Sequence, residues 1–134
     1  MLETGHIKTN SKRAHGYRLR QIQKMLTDLQ RSHVYQAVIM ERGFSRFPKT
    51  TQALFKVVGL SNLVFDNIVE ISPMTIKKAV TGSGKASKGQ VEKAVRRIMK
   101  IPGWKFATDD ESDATAVCLT YLIREDLIQK GLID

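Results

Sequence analysis

The sequence predicts an α/β fold with a partly parallel sheet, and three features carry that expectation. Two short, largely apolar runs, AVIM at 37–40 and IVEI at 68–71, have the length of strands rather than helices. Longer stretches around them repeat apolar residues every three to four positions. The two patterns alternate along the chain, the order that builds strand–helix–strand units. With 134 residues and 42% hydrophobic content there is material for one core, so residues 1–134 are expected to form a single domain.

In chain order, GHIKT at 5–9 reads as a short, partly alternating strand. From position 14 the apolar residues Tyr17, Ile22, Met25, Leu26 and Leu29 share one helical face, so 14–32 is expected to be an amphipathic helix. AVIM then reads as a buried strand ending in Glu41. Residues 50–65 return to helical spacing through Leu54, Val57, Val58, Ser61 and Val64. After the strand at 68–71, Ser72 is placed to cap a helix whose first turn accommodates Pro73. TGSGKAS at 81–87 is a loop between helices. Ser87 and Gln90 have the spacing of a capping box for a helix with Val91, Ala94, Val95, Ile98 and Met99 on its apolar face. IPGW at 101–104 breaks the chain, and a last helix opens near 108–110, where Thr108 and Glu111 could form a second box.

No stretch approaches the roughly 20 apolar residues of a membrane span, and residues 1–10 lack the layout of a secretory leader. One cysteine, Cys118, excludes an internal disulfide framework and a thiolate metal site. Its apolar neighbours Ala116, Val117 and Leu119 suggest a buried position, and a cytoplasmic setting fits best. The net charge of +9 is unevenly spread. Residues 4–31 oppose seven basic residues to Asp28 alone, and 77–105 oppose nine to Glu92 alone. From 109 onward the balance reverses, with seven acids against Arg124 and Lys130. Basic surface attracts polyanions through phosphate contacts and counterion release.

Glu41 ends an apolar strand, where open α/β sheets place their sites, although a strand-end acid can also simply reach solvent. Asp110 and Asp113, at i and i+3, share one helical face and could share a metal ion. Acids near a helix start also have an ordinary electrostatic reason to be there. Hard oxygen ligands without a His or Cys cluster suit Mg²⁺ or Mn²⁺, and two such ions can drive phosphodiester hydrolysis. His6, His15 and His33 show no ligand spacing and are expected to face solvent or cap local structure. GSGK is not a P-loop, because Lys85 precedes Ala86 and the loop joins two helices. Lys85 there suits contact with a nucleic-acid backbone. The segment ERGFSRFPK sets Arg42, Phe44 and Arg46 beside the active strand, where an aromatic could stack on bases or close over the core.

Several stretches resemble the RuvC-type Holliday junction resolvases, which have an RNase H-like fold. IMERGF resembles the segment that carries the family's strand-end Glu, which implies Glu41 as catalytic and Phe44 as a junction contact. TIKKAVTGSGKASKGQVEKAVRRIM is similar to its basic segment. That likeness implies Lys77 and Lys88 as functional lysines, with Lys78 and Lys85 beside the DNA. DESDATAVCLTYL resembles the terminal helix, implying Asp110 and Asp113 as metal ligands with Glu41. TGHIKTNSKRAHGYRLRQI resembles the third strand and first helix. The resemblance implies a homodimer that cuts four-way DNA junctions with two Mg²⁺ or Mn²⁺ ions.

The family's Asp-bearing first strand and the strand after it have no counterpart in these residues, so the mixed sheet is expected to be N-terminally incomplete. A start lying upstream is the preferred explanation. A strand donated by a partner, or a member that binds branched DNA without cutting it, are the other two.

Overall fold

The structure, a computed structural model, describes residues 3–43 and 47–128. Its elements run α1 (His15–Ser32), β1 (Val38–Glu41), α2 (Pro48–Val64), β2 (Ile68–Ile71), α3 (Pro73–Thr81), α4 (Lys88–Met99) and α5 (Asp109–Arg124). β1 and β2 pair in a two-stranded parallel sheet. The α/β alternation therefore holds. GHIKT at 5–9, expected as a strand, forms none, because it has no ladder partner among the described residues and a lone extended segment gains no sheet hydrogen bonds.

The chain sorts into two compact units. The first, here the core unit, comprises Met1–His6, Ile39–Glu41 and Glu70–Asp134. Among the described residues, every fully buried hydrophobic side chain belongs to it: Ile71 from β2, Ile76 and Val80 from α3, Ala86, four residues of α4, and Ala116, Val117 and Leu119 from α5. Those four, Val91, Ala94, Val95 and Ile98, are the predicted apolar stripe without Met99, which is half-buried.

Local chemistry sets the ends of these helices. Ser72 accepts from the Thr75 N–H at 3.2 Å, and Pro73 occupies a first-turn position that needs no amide donor. Gly82 ends α3 at φ 88°, a left-handed conformation open to glycine without steric cost. The expected box opens α4: Gln90 N–H donates to Ser87 Oγ at 3.2 Å, and Ser87 N–H donates to Gln90 Oε1 at 2.8 Å. Lys100 ends α4 at φ 60°, where a side chain is strained.

The second unit, here the helical pair, comprises Ile7–Val38 and Arg42–Val69 and packs α1 against α2. Its burial is light: α1 has no fully buried residue and α2 has Ser61 alone. Ser61 Oγ satisfies itself on Val57 O at 2.8 Å.

Cys118 is exposed, contrary to expectation. Neighbours in sequence lie about 100° apart around a helix, so Val117 and Leu119 can face the core while Cys118 does not. No helix among the described residues is long and apolar enough to cross a membrane.

Two substitutions test this account. Leu119→Ala should destabilise the protein by about 2–5 kcal/mol through cavity formation. Lys100→Gly should raise stability by roughly 0.5–1 kcal/mol by relieving the left-handed cap. Chemical denaturation with a common slope would read both.

Candidate functional site

The core unit brings together side chains that lie far apart in sequence. Glu41 is the last residue of β1, so its carboxylate projects from a strand terminus with access to solvent. Partial burial raises its pKa above the ordinary value, and the negative charge of Asp113 raises it further. Lys88 and then Lys77 act in the opposite direction. Asp113, Lys88 and Lys77, from α5, α4 and α3, therefore lie within electrostatic reach of Glu41 at the end of β1.

Each is positioned by its element. Asp113 sits in the second turn of α5, whose next turn is locked by buried Ala116 and Val117. Lys77 is half-buried on α3 between the buried Ile76 and the exposed Lys78. Lys88 is the first residue of α4, directly after the Ser87 box. A cation is disfavoured at a helix N-terminus by the peptide dipoles, so Lys88 needs another reason to be there. Asp113 supplies one, with Oδ2 lying 3.6 Å from Lys88 Nζ. That pair is exposed, 72% for the lysine and 35% for the acid. A bridge of this kind is worth roughly 0–1 kcal/mol, so both partners can be exchanged for a ligand at little cost.

The other expected residues are placed differently. Asp110 is exposed in the first turn of α5. Among the described residues, no three His, Cys, Asp or Glu side chains gather into a metal-holding group. Lys78 and Lys85 are exposed in the core unit, and Arg42 is exposed after β1. Phe44 and Arg46 lie outside the described residues.

The Thr108–Glu111 box does not form. Thr108 makes no side-chain cap bond, and its buried Oγ1 has no hydrogen-bond partner. Glu111 turns instead to His6, with Oε2 2.7 Å from Nδ1, and is 6% exposed. The His6 bond lowers the Glu111 pKa, with Thr4 adding to it. This contact, 105 residues apart in sequence, leaves no local signal that a reading of spacing could find.

Residues 1–121 match the family described as "Crossover junction endodeoxyribonuclease RuvC". The chain belongs to the RuvC family. Among its relatives, the RuvC of Prochlorococcus marinus is 36% identical over 131 residues, covering 93% of this chain and 83% of the relative. That of Orientia tsutsugamushi strain Boryong is 33% identical over 134 residues, covering 94% and 81%. Thermus thermophilus RuvC matches in structure with a TM-score of 0.79 at 24% identity, over 94% of this chain and 78% of that one. The same protein in complex with Holliday junction substrate matches at 0.81, over 94% and 79%. The RNase H-like fold of this RuvC-family chain is thereby established.

The donor set fits a hard divalent cation. Such an ion is commonly held by one or two carboxylates together with substrate phosphate oxygens, and Glu41 and Asp113 offer oxygen donors whose mutual repulsion a cation would relieve. The sign of the Glu41 shift gives a test. An acid with a raised folded-state pKa is protonated more readily folded than unfolded, so the folded state loses relative stability as pH rises through that pKa. In chelator at neutral pH, Glu41→Gln should melt above the parent protein, and the difference should close on acidification towards the ordinary carboxylate range. Thermal melts across pH would read it.

Proposed function

We propose that this chain is a structure-selective endonuclease cutting Holliday junctions or related branched DNA by metal-dependent phosphodiester hydrolysis. The observation that carries this reading is the convergence of Glu41 and Asp113 with Lys88 and Lys77 at one strand end. Glu41 and Asp113, with Asp110 as further donor, are the proposed metal ligands, and Mg²⁺ or Mn²⁺ the proposed metal. The family resemblance implies two ions. Bound there, the metal would lower the pKa of water and offset charge on the phosphoryl oxygens.

The residues of the chain bind and orient. Lys88 and Lys77 face the scissile phosphate as fixed positive charges, replacing solvent with preorganised donors. Lys78, Lys85 and Arg42 extend the contact along the backbone, and Arg46 and Phe44 are proposed to continue it at the branch. In the reaction, water adds to phosphorus and the P–O3′ bond breaks. The 3′-oxygen leaves with a proton, and the new P–OH belongs to a 5′-phosphate. A homodimer would make the two nicks that resolve a four-way junction.

A second reading is a member that binds branched DNA without cutting it. Cleavage of a synthetic four-way junction in Mg²⁺ separates the two. It should be measured for this chain alongside junction binding under the same conditions. Lys88→Ala should slow cutting on the order of 10²-fold, and Asp113→Asn should abolish it while junction binding persists. Failure to cut, with binding intact, would leave the binder.

A further inference from the structure

Sorting the charges by unit separates two chemistries. The core unit holds eleven Lys and Arg against eleven Asp and Glu and is formally neutral. The helical pair holds eleven basic residues against Asp28 and Asp66, so the entire net charge of +9 belongs to it. The proposed nuclease site uses two of those cations, Arg42 and Arg46. Most of the positive charge therefore has no role in that site.

Within the helical pair, α1 and α2 line a recess of about 70 Å³. Leu19, Ile22 and Val57 give it apolar walls, while His15, Arg18 and Lys56 bring donors to it. Lys56 Nζ lies 2.7 Å from His15 Nδ1. An ammonium has no lone pair, so the imidazole accepts at Nδ1 and carries its proton on Nε2, which becomes a further donor. Arg18 Nε donates to Thr9 Oγ1 at 2.8 Å, which orients the guanidinium and leaves its terminal nitrogens available. The ion pairs among the described residues involve neither Arg18 nor Lys56. Two cations and an imidazole thus line one recess, His15 and Lys56 at its exposed rim, with no acid among the lining residues.

We propose that this recess binds a phosphate group. One water needs roughly 10–15 Å³ of such space, so there is room for a tetrahedral oxyanion. Half-buried Arg18 offers the fork that suits phosphate oxygens, and Lys56 adds a point charge. Apolar walls reduce competition from water and strengthen each contact. The phosphate comes either from a nucleic-acid backbone or from a free phosphate ion. Nothing here depends on cleavage, because the site lies in the unit that carries neither Glu41 nor Asp113.

The test follows the His15 Nε2 resonance by side-chain NMR while inorganic phosphate is added to the full chain. The expected result is a saturable shift that chloride at equal ionic strength does not reproduce. The shift should vanish in Lys56→Met and persist in Lys49→Met, a control for loss of charge on the same helix. Should Lys56→Met fail to fold, the phosphate-against-chloride comparison on the parent chain decides alone. Added four-way junction DNA then distinguishes the sources. Competition between DNA and phosphate for the resonance, with a salt-dependence slope lower by about 0.9 in Lys56→Met, assigns a backbone contact. A phosphate response that DNA leaves untouched assigns the free ion. An unsaturable shift, an equal response to chloride, or a response retained in Lys56→Met would overturn the proposal.

Discussion

Two like charges held near each other set the terms for the rest of the core unit. Partial burial pushes the pKa of Glu41 up, and the negative charge of Asp113 pushes it further. Left to themselves, the two carboxylates would separate into water. They stay because neither backbone can yield. Glu41 is fixed by strand pairing, and Asp113 by a helix whose buried face includes Ala116, Val117, Leu119 and Thr120. Lys88 relieves the conflict only in part, since its bridge to Asp113 is long and exposed. A local conflict maintained by a well-packed surround is a common mark of a functional site, because folding alone would remove it.

Packing is distributed in keeping with that demand. Among the described residues, all fully buried hydrophobic side chains lie in the unit that carries the carboxylates. A one-methylene change there is felt, because a close-packed interior transmits displacement. The helical pair, with Ser61 as the one fully buried residue of its two helices, is held by partly buried contacts and by bonds such as Gln30 Nε2 to Val64 O at 2.8 Å. Little apolar burial means a lower free energy for local opening. Rigid geometry is kept where two charges must be opposed. Looser packing suffices where the surface mainly attracts a polyanion.

What the sequence made legible follows the range of each interaction. The Ser72 cap, Pro73, the Ser87–Gln90 box and the α4 stripe are decided within one or two turns, so spacing alone located them. The strand expected at 5–9 was not so decided, since a strand exists only with a partner. The Thr108–Glu111 spacing fitted a box as well as the Ser87–Gln90 spacing did. A histidine 105 positions away took the glutamate instead. Cys118 is exposed beside buried Val117 and Leu119, because adjacent residues of a helix face different ways. The approach of Glu41 to Asp113, from β1 and α5, has no local signature at all. Family likeness pointed to it before geometry could.

The division of charge has a physical logic that a uniformly basic protein would lack. Dense positive charge around the two carboxylates would compete with a divalent cation for the same oxygens. The core unit is formally neutral, so the positive charge that Lys88 and Lys77 bring to Glu41 is balanced by acids within the same unit. Attraction to the phosphate backbone is long-ranged and indifferent to base sequence, so it need not come from the residues that would do the chemistry. Placing +9 in the helical pair and none, on balance, in the core unit lets one chain gather a polyanion without neutralising the acids that would act on it.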